Sequence, residues 1–166
     1  MPGKLLVGAG HEHWQGWTTL DADPTTQPDI VAAVPPLPPE VLAGAWDEIA
    51  LIHTIEHFSI QHADEVLRDC YAALRPGGQL TLEQPNIEFC MRVALGEISV
   101  PSDRQIRFGL LGIFGEQDGS SWMAHRWGYT PDTLIEKVRK AGFGRVQICT
   151  AQTHHVERDF RLEAFK

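Results

Sequence analysis

The chain has 166 residues, 43% of them hydrophobic and 22% charged, with a formal net charge of −8. These are the proportions of one globular domain around a single core, and no apolar run is long enough to span a bilayer. A surface this acidic, with no cluster of Lys and Arg, disfavours nucleic acid as a partner. Cys70, Cys90 and Cys149 are odd in number and far apart, so they spell neither a disulfide framework nor a zinc knuckle. Met1-Pro2-Gly3-Lys4 does not read as a secretion signal, and a reducing cytoplasm is the expected compartment.

Lys4-Leu5-Leu6-Val7 meets Gly8-Ala9-Gly10 and predicts a buried strand ending in a tight turn. Trp17 to Leu20 predicts a second strand, stopped at Asp21. Asp29 to Val34 predicts a third, stopped by Pro35 and Pro36, and Asp47 to Ile52 a fourth. The runs hardly alternate, which suits strands covered on both faces. Ala63, Val66, Leu67, Cys70, Ala73 and Leu74 form one apolar helical stripe, ended by Pro76-Gly77-Gly78. Gln79 to Gln84 predicts a fifth strand, cut by Pro85.

Residues 86–128 break this rhythm and form an expected insertion at the carboxyl end of the fifth strand, where such sheets bind ligands. A last helix is punctuated by Thr130 as cap, Pro131 at its first position and Gly142 past its end. Arg145 to Thr150 predicts a sixth strand. The alternation of Phe160, Leu162 and Ala164 predicts a seventh, edge-like one. The expected fold is α/β: one domain over 1–166 with an open, Rossmann-like sheet, mostly parallel and closed by an antiparallel C-terminal strand pair.

Gly8-Ala9-Gly10 allows a ligand to approach the backbone, and Asp21 can accept hydrogen bonds from both ribose hydroxyls of an adenosine. The same residues equally suit a tight turn and a cap.

Taken in order, a longer set of segments resembles the class I S-adenosylmethionine-dependent methyltransferases, in the branch with a short, glycine-poor nucleotide loop. The set is Leu5 to Gly10, Gly16 to Asp21, Asp29-Ile30-Val31 with Leu37-Pro38, and Trp46 to Ile49 through Glu56-His57-Phe58. It continues with Leu74-Arg75-Pro76-Gly77-Gly78, Pro85-Asn86, His125 to Pro131 and Lys140 to Phe143.

The resemblance implies S-adenosylmethionine as cofactor. Gly8, Ala9 and Gly10, flanked by Val7, would line its methionine end; Asp21, beside Ala22, would hold the ribose; Leu37 would pack on the adenine; and His53 would sit beside the sulfonium. Pro85, Asn86 and the insertion, with Gln117, His125, Arg126 and Trp127, would shape the site of a small-molecule or glycan acceptor. Two features depart from the family. Only six residues separate Gly10 from Trp17, too few for a helical crossover, so the first helix is expected to be missing. Ala33 stands where the family often has an acidic residue.

Methyl transfer asks mainly for alignment of the acceptor, with a general base for a hydroxyl, and His125 and His53 are the candidates. His154 and His155 are expected to be solvated.

His53-Thr54-Ile55-Glu56-His57 also spells the inverted zinc-peptidase pattern, but that motif needs both histidines on a helix, and His53 falls at a strand end. No metal ligand set is therefore assigned. A binding module of the same fold without turnover is the other alternative. A nicotinamide dehydrogenase is disfavoured, because the third glycine of its fingerprint is absent.

Overall fold

The structure is a computed structural model that describes residues 3–117 and 122–166; residues 118–121 of the expected insertion lie outside it. Seven strands form one sheet: β1 (Lys4–Val7), β2 (Thr18–Asp21), β3 (Ile30–Val31), β4 (Trp46–Ile52), β5 (Leu74–Pro85), β6 (Arg145–Thr150) and β7 (Asp159–Phe165). Their spatial order is β3-β2-β1-β4-β5-β7-β6. The first five are parallel, and β7 runs antiparallel to both β5 and β6. This is the expected Rossmann-like architecture.

One face of the sheet carries the main core. Leu5 and Val7 of β1, Ile49 and Leu51 of β4, and Leu80 and Leu82 of β5 pack there with buried side chains of α2 (Ile60–Ala73) and α6 (Pro131–Lys140). A four-residue helix, α1 (Pro39–Leu42), adds Val41. Ser59 caps α2 by accepting a hydrogen bond from His62 N. Thr130 and Thr133 cap α6 reciprocally, and Gly142 follows it at φ 117°.

The other face shows how the fold tolerates its short crossover. Residues 8–17 contain no helix, as expected. Trp14 and Trp17 from this loop pack edge to face at 5.0 Å and cover Leu6 and Ala50. Two large aromatic side chains thus take the place of a missing helical layer.

Three expectations need correction. β3 is two residues long rather than six, because it is an edge strand whose Val31 is solvent-exposed. β5 starts at Leu74, directly after α2, and includes Pro85. β7 is not an edge: it pairs along its length with β5 and β6, leaving β6 outermost. The expected insertion at 86–128 holds α3 (Ile87–Ala94), α4 (Ser102–Phe108) and α5 (Leu110–Phe114).

Candidate active site

The sheet order turns back between β1 and β4, and the carboxyl ends of such strands open onto a crevice. Here the crevice is a cleft of about 790 Å³. Its floor is the turn after β1. Gly8 (φ 66°) and Gly10 (φ 53°) take left-handed backbone, and the amides of Gly8 and Ala9 both donate to Leu20 O, at 2.8 and 3.1 Å. A Cβ on Gly8 would lie 2.3 Å from Thr54 Cγ2, whereas one on Gly10 would meet nothing within 4 Å. Asp21 faces this turn from the end of β2. Its Oδ2 accepts from Gly10 N at 2.7 Å and its Oδ1 from Asp23 N at 2.9 Å. The carboxylate is therefore held in place, and each oxygen keeps a lone pair.

The opposite side of the cleft is built from charges and imidazoles. His53, just past β4, has a left-handed backbone (φ 49°) and donates its N–H to Glu83 O at 2.7 Å. Its Nδ1 lies 3.3 Å from Glu56 Oε1 and its Nε2 3.2 Å from Asp159 Oδ2. Burial alone would lower its pKa, but the Asp159 and Glu56 carboxylates overcome this and raise it to about 9. Arg158 also grips Asp159, through contacts of 2.5 and 3.1 Å. The ring of His154 packs on His53 at 4.2 Å. Its loop is tied down by Glu83, which accepts from the backbone amides of Gln152 and Thr153 at 2.9 and 2.6 Å.

Below His53, the 3₁₀ turn Ile55–His57 presents Glu56 and His57 toward His125. Glu56 is 2% exposed, and among the described residues neither carboxylate oxygen has an aligned hydrogen bond. Its burial raises its pKa, and His53 outweighs that and holds it below its ordinary value. The rings of His57 and His125 meet edge to face at 5.0 Å. Nδ1 of His57 lies 3.2 Å from Ala124 O, and Nδ1 of His125 3.1 Å from Gly112 O. A carbonyl only accepts, so both Nδ1 atoms carry the proton. Burial lowers the pKa of His125, with Glu56 opposing.

Several expected site residues meet in the cleft: Gly8, Ala9, Gly10, Asp21, Ala22, His53, Pro85 and His125 all line it. Others stand elsewhere. Val7 and Leu37 are buried in the main core, and Leu37 N is bonded to Asp69 on α2; Ala32 and Val34 form the nearby cleft wall instead. Asn86 caps α3. Gln117 is exposed and bonds Phe114 O. Arg126 and Trp127 turn outward, and their amides, not their side chains, bind Glu56 O.

His154 and His155 line the cleft rather than lying in a purely solvated loop. Sequence reasoning also missed Arg158 and the pairing of Glu56 and His57 with His125. The signal for Glu56 and His57 was present in the zinc-like motif, but its third member is brought in from a distant segment. The peptidase geometry itself is absent: His53 is turned to Asp159, and Ile55–His57 is a single 3₁₀ turn.

No protein-family model matches the sequence, and no curated protein matches it. Solved structures do, across nearly the whole chain, and they define its fold as that of the class I S-adenosylmethionine-dependent methyltransferases. One is such a methyltransferase from Archaeoglobus fulgidus, 15% identical with a TM-score of 0.64, the match covering 99% of this chain and 86% of that one. A second is a possible histamine N-methyltransferase from Thermotoga maritima, 12% identical with a TM-score of 0.63, covering 100% and 83%. A third is the 1,6-didemethyltoxoflavin-N1-methyltransferase of Burkholderia thailandensis, solved with that compound and S-adenosylhomocysteine bound; it is 17% identical with a TM-score of 0.61, covering 99% and 71%.

Proposed function

We propose that this chain binds S-adenosylmethionine and transfers its methyl group to a small-molecule or glycan acceptor. The observation that carries the reading is the meeting, at the switch point of the sheet, of an open glycine turn and the fixed carboxylate of Asp21.

The residues present fit the cofactor. The Gly10 backbone is open to a ligand, Asp21 has lone pairs for ribose hydroxyls, and Ala22, Ala32 and Val34 offer an apolar wall to a purine. A cleft of about 790 Å³ falls within the usual range for ligand sites. The Burkholderia neighbour, with its bound S-adenosylhomocysteine and 1,6-didemethyltoxoflavin, supports both halves of the reading.

When bound, the cofactor supplies an electrophilic methyl group on a sulfonium, so the protein's task is to align an acceptor and manage its proton. His125 is placed for that proton, because its Nδ1–H is engaged with Gly112 O and its Nε2 keeps a lone pair. His53 is not a base at neutral pH, since it is held protonated; it orders the charges around the site. The net charge of −8 favours a small acceptor over nucleic acid. No helix among the described residues is long and apolar enough to cross a membrane. Cys70, Cys90 and Cys149 are all free, which suits a reducing cytoplasm.

Calorimetry with S-adenosylhomocysteine and radiolabelled methyl transfer into cell extracts test the proposal. Saturable binding with label appearing in low-molecular-weight material is the expected result; no binding by folded protein refutes it. Binding without label in any extract favours a cofactor-binding module, the reading that the helix-free crossover at 8–17 motivates.

A further inference from the structure

We propose that Glu56, His57 and His125 form a binding site for one divalent transition-metal ion, with Zn²⁺ as the ion that suits their donors. A ligand atom from each of the three lies within 4.8 Å of the others. Two imidazoles and a carboxylate are a common donor set for zinc and its first-row neighbours.

Three observations point to a cation rather than to plain packing. The first is Glu56. A carboxylate 2% exposed, with no aligned hydrogen bond to either oxygen among the described residues, is costly unless something compensates it. His53 supplies an ionic contact to Oε1, and it is shared with Asp159; among the described residues Oε2 has no such contact. The second is the orientation of the imidazoles. Each donates Nδ1–H to a backbone carbonyl, Ala124 O or Gly112 O, which leaves Nε2 as the nitrogen able to ligate. Metal-binding histidines are held in this way by their outer shell.

The third is preorganisation by backbone. The amides of Arg126 and Trp127 both donate to Glu56 O, at 2.8 and 3.1 Å, and His125 N donates to Phe114 O at 3.0 Å. These bonds staple the segment carrying His125 onto the turn carrying Glu56 and His57.

Three protein ligands leave coordination positions open, as in catalytic rather than structural zinc sites. His57 and His125 both line the cleft, so an ion held by them would lie within reach of an oxygen or nitrogen donor of a ligand bound there. The metal site rests on its donor geometry alone, and the methyltransferase reading enters only in naming the bound ligand as an acceptor. With the ion bound, the His125 Nε2 lone pair is taken up, so the proton-accepting role proposed above for His125 no longer applies.

The test uses the full chain, stripped with a chelator and titrated calorimetrically with ZnCl₂, with visible absorption of the Co²⁺ form as a second readout. One ion per chain is expected, with Zn²⁺ raising the melting temperature. Glu56→Gln and His125→Asn should each weaken binding at least ~10-fold, while His62→Gln, on the exposed face of α2, should bind as wild type. Because Glu56→Gln also disturbs His53, circular dichroism must show both variants folded; His125→Asn leaves that ion pair intact and serves alone if Glu56→Gln does not fold. Absence of saturable binding overturns the proposal, and so does one-equivalent binding that survives His125→Asn. S-adenosylhomocysteine binding by the metal-free protein is measured separately. Its failure with zinc binding intact overturns the proposed function and leaves the metal site standing.

Discussion

His53 gathers more electrostatic consequence than any neighbour in the cleft. Its folded pKa of about 9 exceeds its ordinary 6.5, so its ion pairs contribute stability on the order of 3 kcal/mol. A raised pKa makes that contribution complete below the unfolded value, and it fades as pH rises through about 9. Glu56 and Asp159 act with the opposite sign: both are held below their ordinary values, so their contribution fades as pH falls through the acid range. Melting temperature followed against pH should therefore decline on the alkaline side in wild type. His53→Gln should start lower and run flat across that window; parallel curves would show that His53 does not titrate there.

At Asp21, replacement by Ala should weaken S-adenosylhomocysteine binding by roughly 10- to 150-fold, the loss of 1.5–3 kcal/mol for a charged hydrogen bond. Calorimetry on folded variant checks this, and unchanged affinity would remove Asp21 from the site. The two glycines of the turn should separate. Gly8→Ala places a Cβ against Thr54 at positive φ, and should lower stability by more than the ~1–2 kcal/mol of left-handed strain alone. Gly10→Ala has free space, so it should show that strain alone in thermal melts, together with a larger relative loss of ligand affinity.

At the scale of elements, α6 is where local sequence speaks most plainly. Thr130, Pro131 and Gly142 stand at the cap, first turn and C-terminal exit where their chemistry belongs. Thr130→Ala should cost about 1 kcal/mol in denaturant unfolding without altering cofactor binding, since its side chain bonds Thr133 in the first turn of α6. The α2 stripe and the parallel strands β1, β2 and β4 were legible for the same reason: period and punctuation are local properties. Leu37, expected beside the purine, is buried in the core, because an apolar residue after a strand suits either place. Its backbone amide is tied to α2 by Asp69, thirty-two positions away.

For the molecule as a whole, ligand binding and stability are linked. A ligand that binds the folded chain alone adds about 2.7 kcal/mol at a concentration one hundred times its Kd. For a domain of this size that is a rise of roughly 5–10 °C in melting temperature. S-adenosylhomocysteine should produce such a shift in wild type and a smaller one in Asp21→Ala; no shift at saturating ligand would count against the cofactor reading.

The amino-acid sequence by itself determined the α/β alternation, the helix-free crossover and the positions of Gly8, Gly10 and Asp21 at strand ends. All of these follow from apolar spacing, chain length and turn chemistry within a few residues. Only the tertiary structure decided that β7 lies inside the sheet, where pairing with both β5 and β6 satisfies both of its hydrogen-bonding edges. It alone brought Glu56 and His57 to His125, and His53 to Asp159 and His154. These groups meet through backbone bonds between distant segments, and no local pattern in a chain encodes which distant carboxylate an imidazole will face.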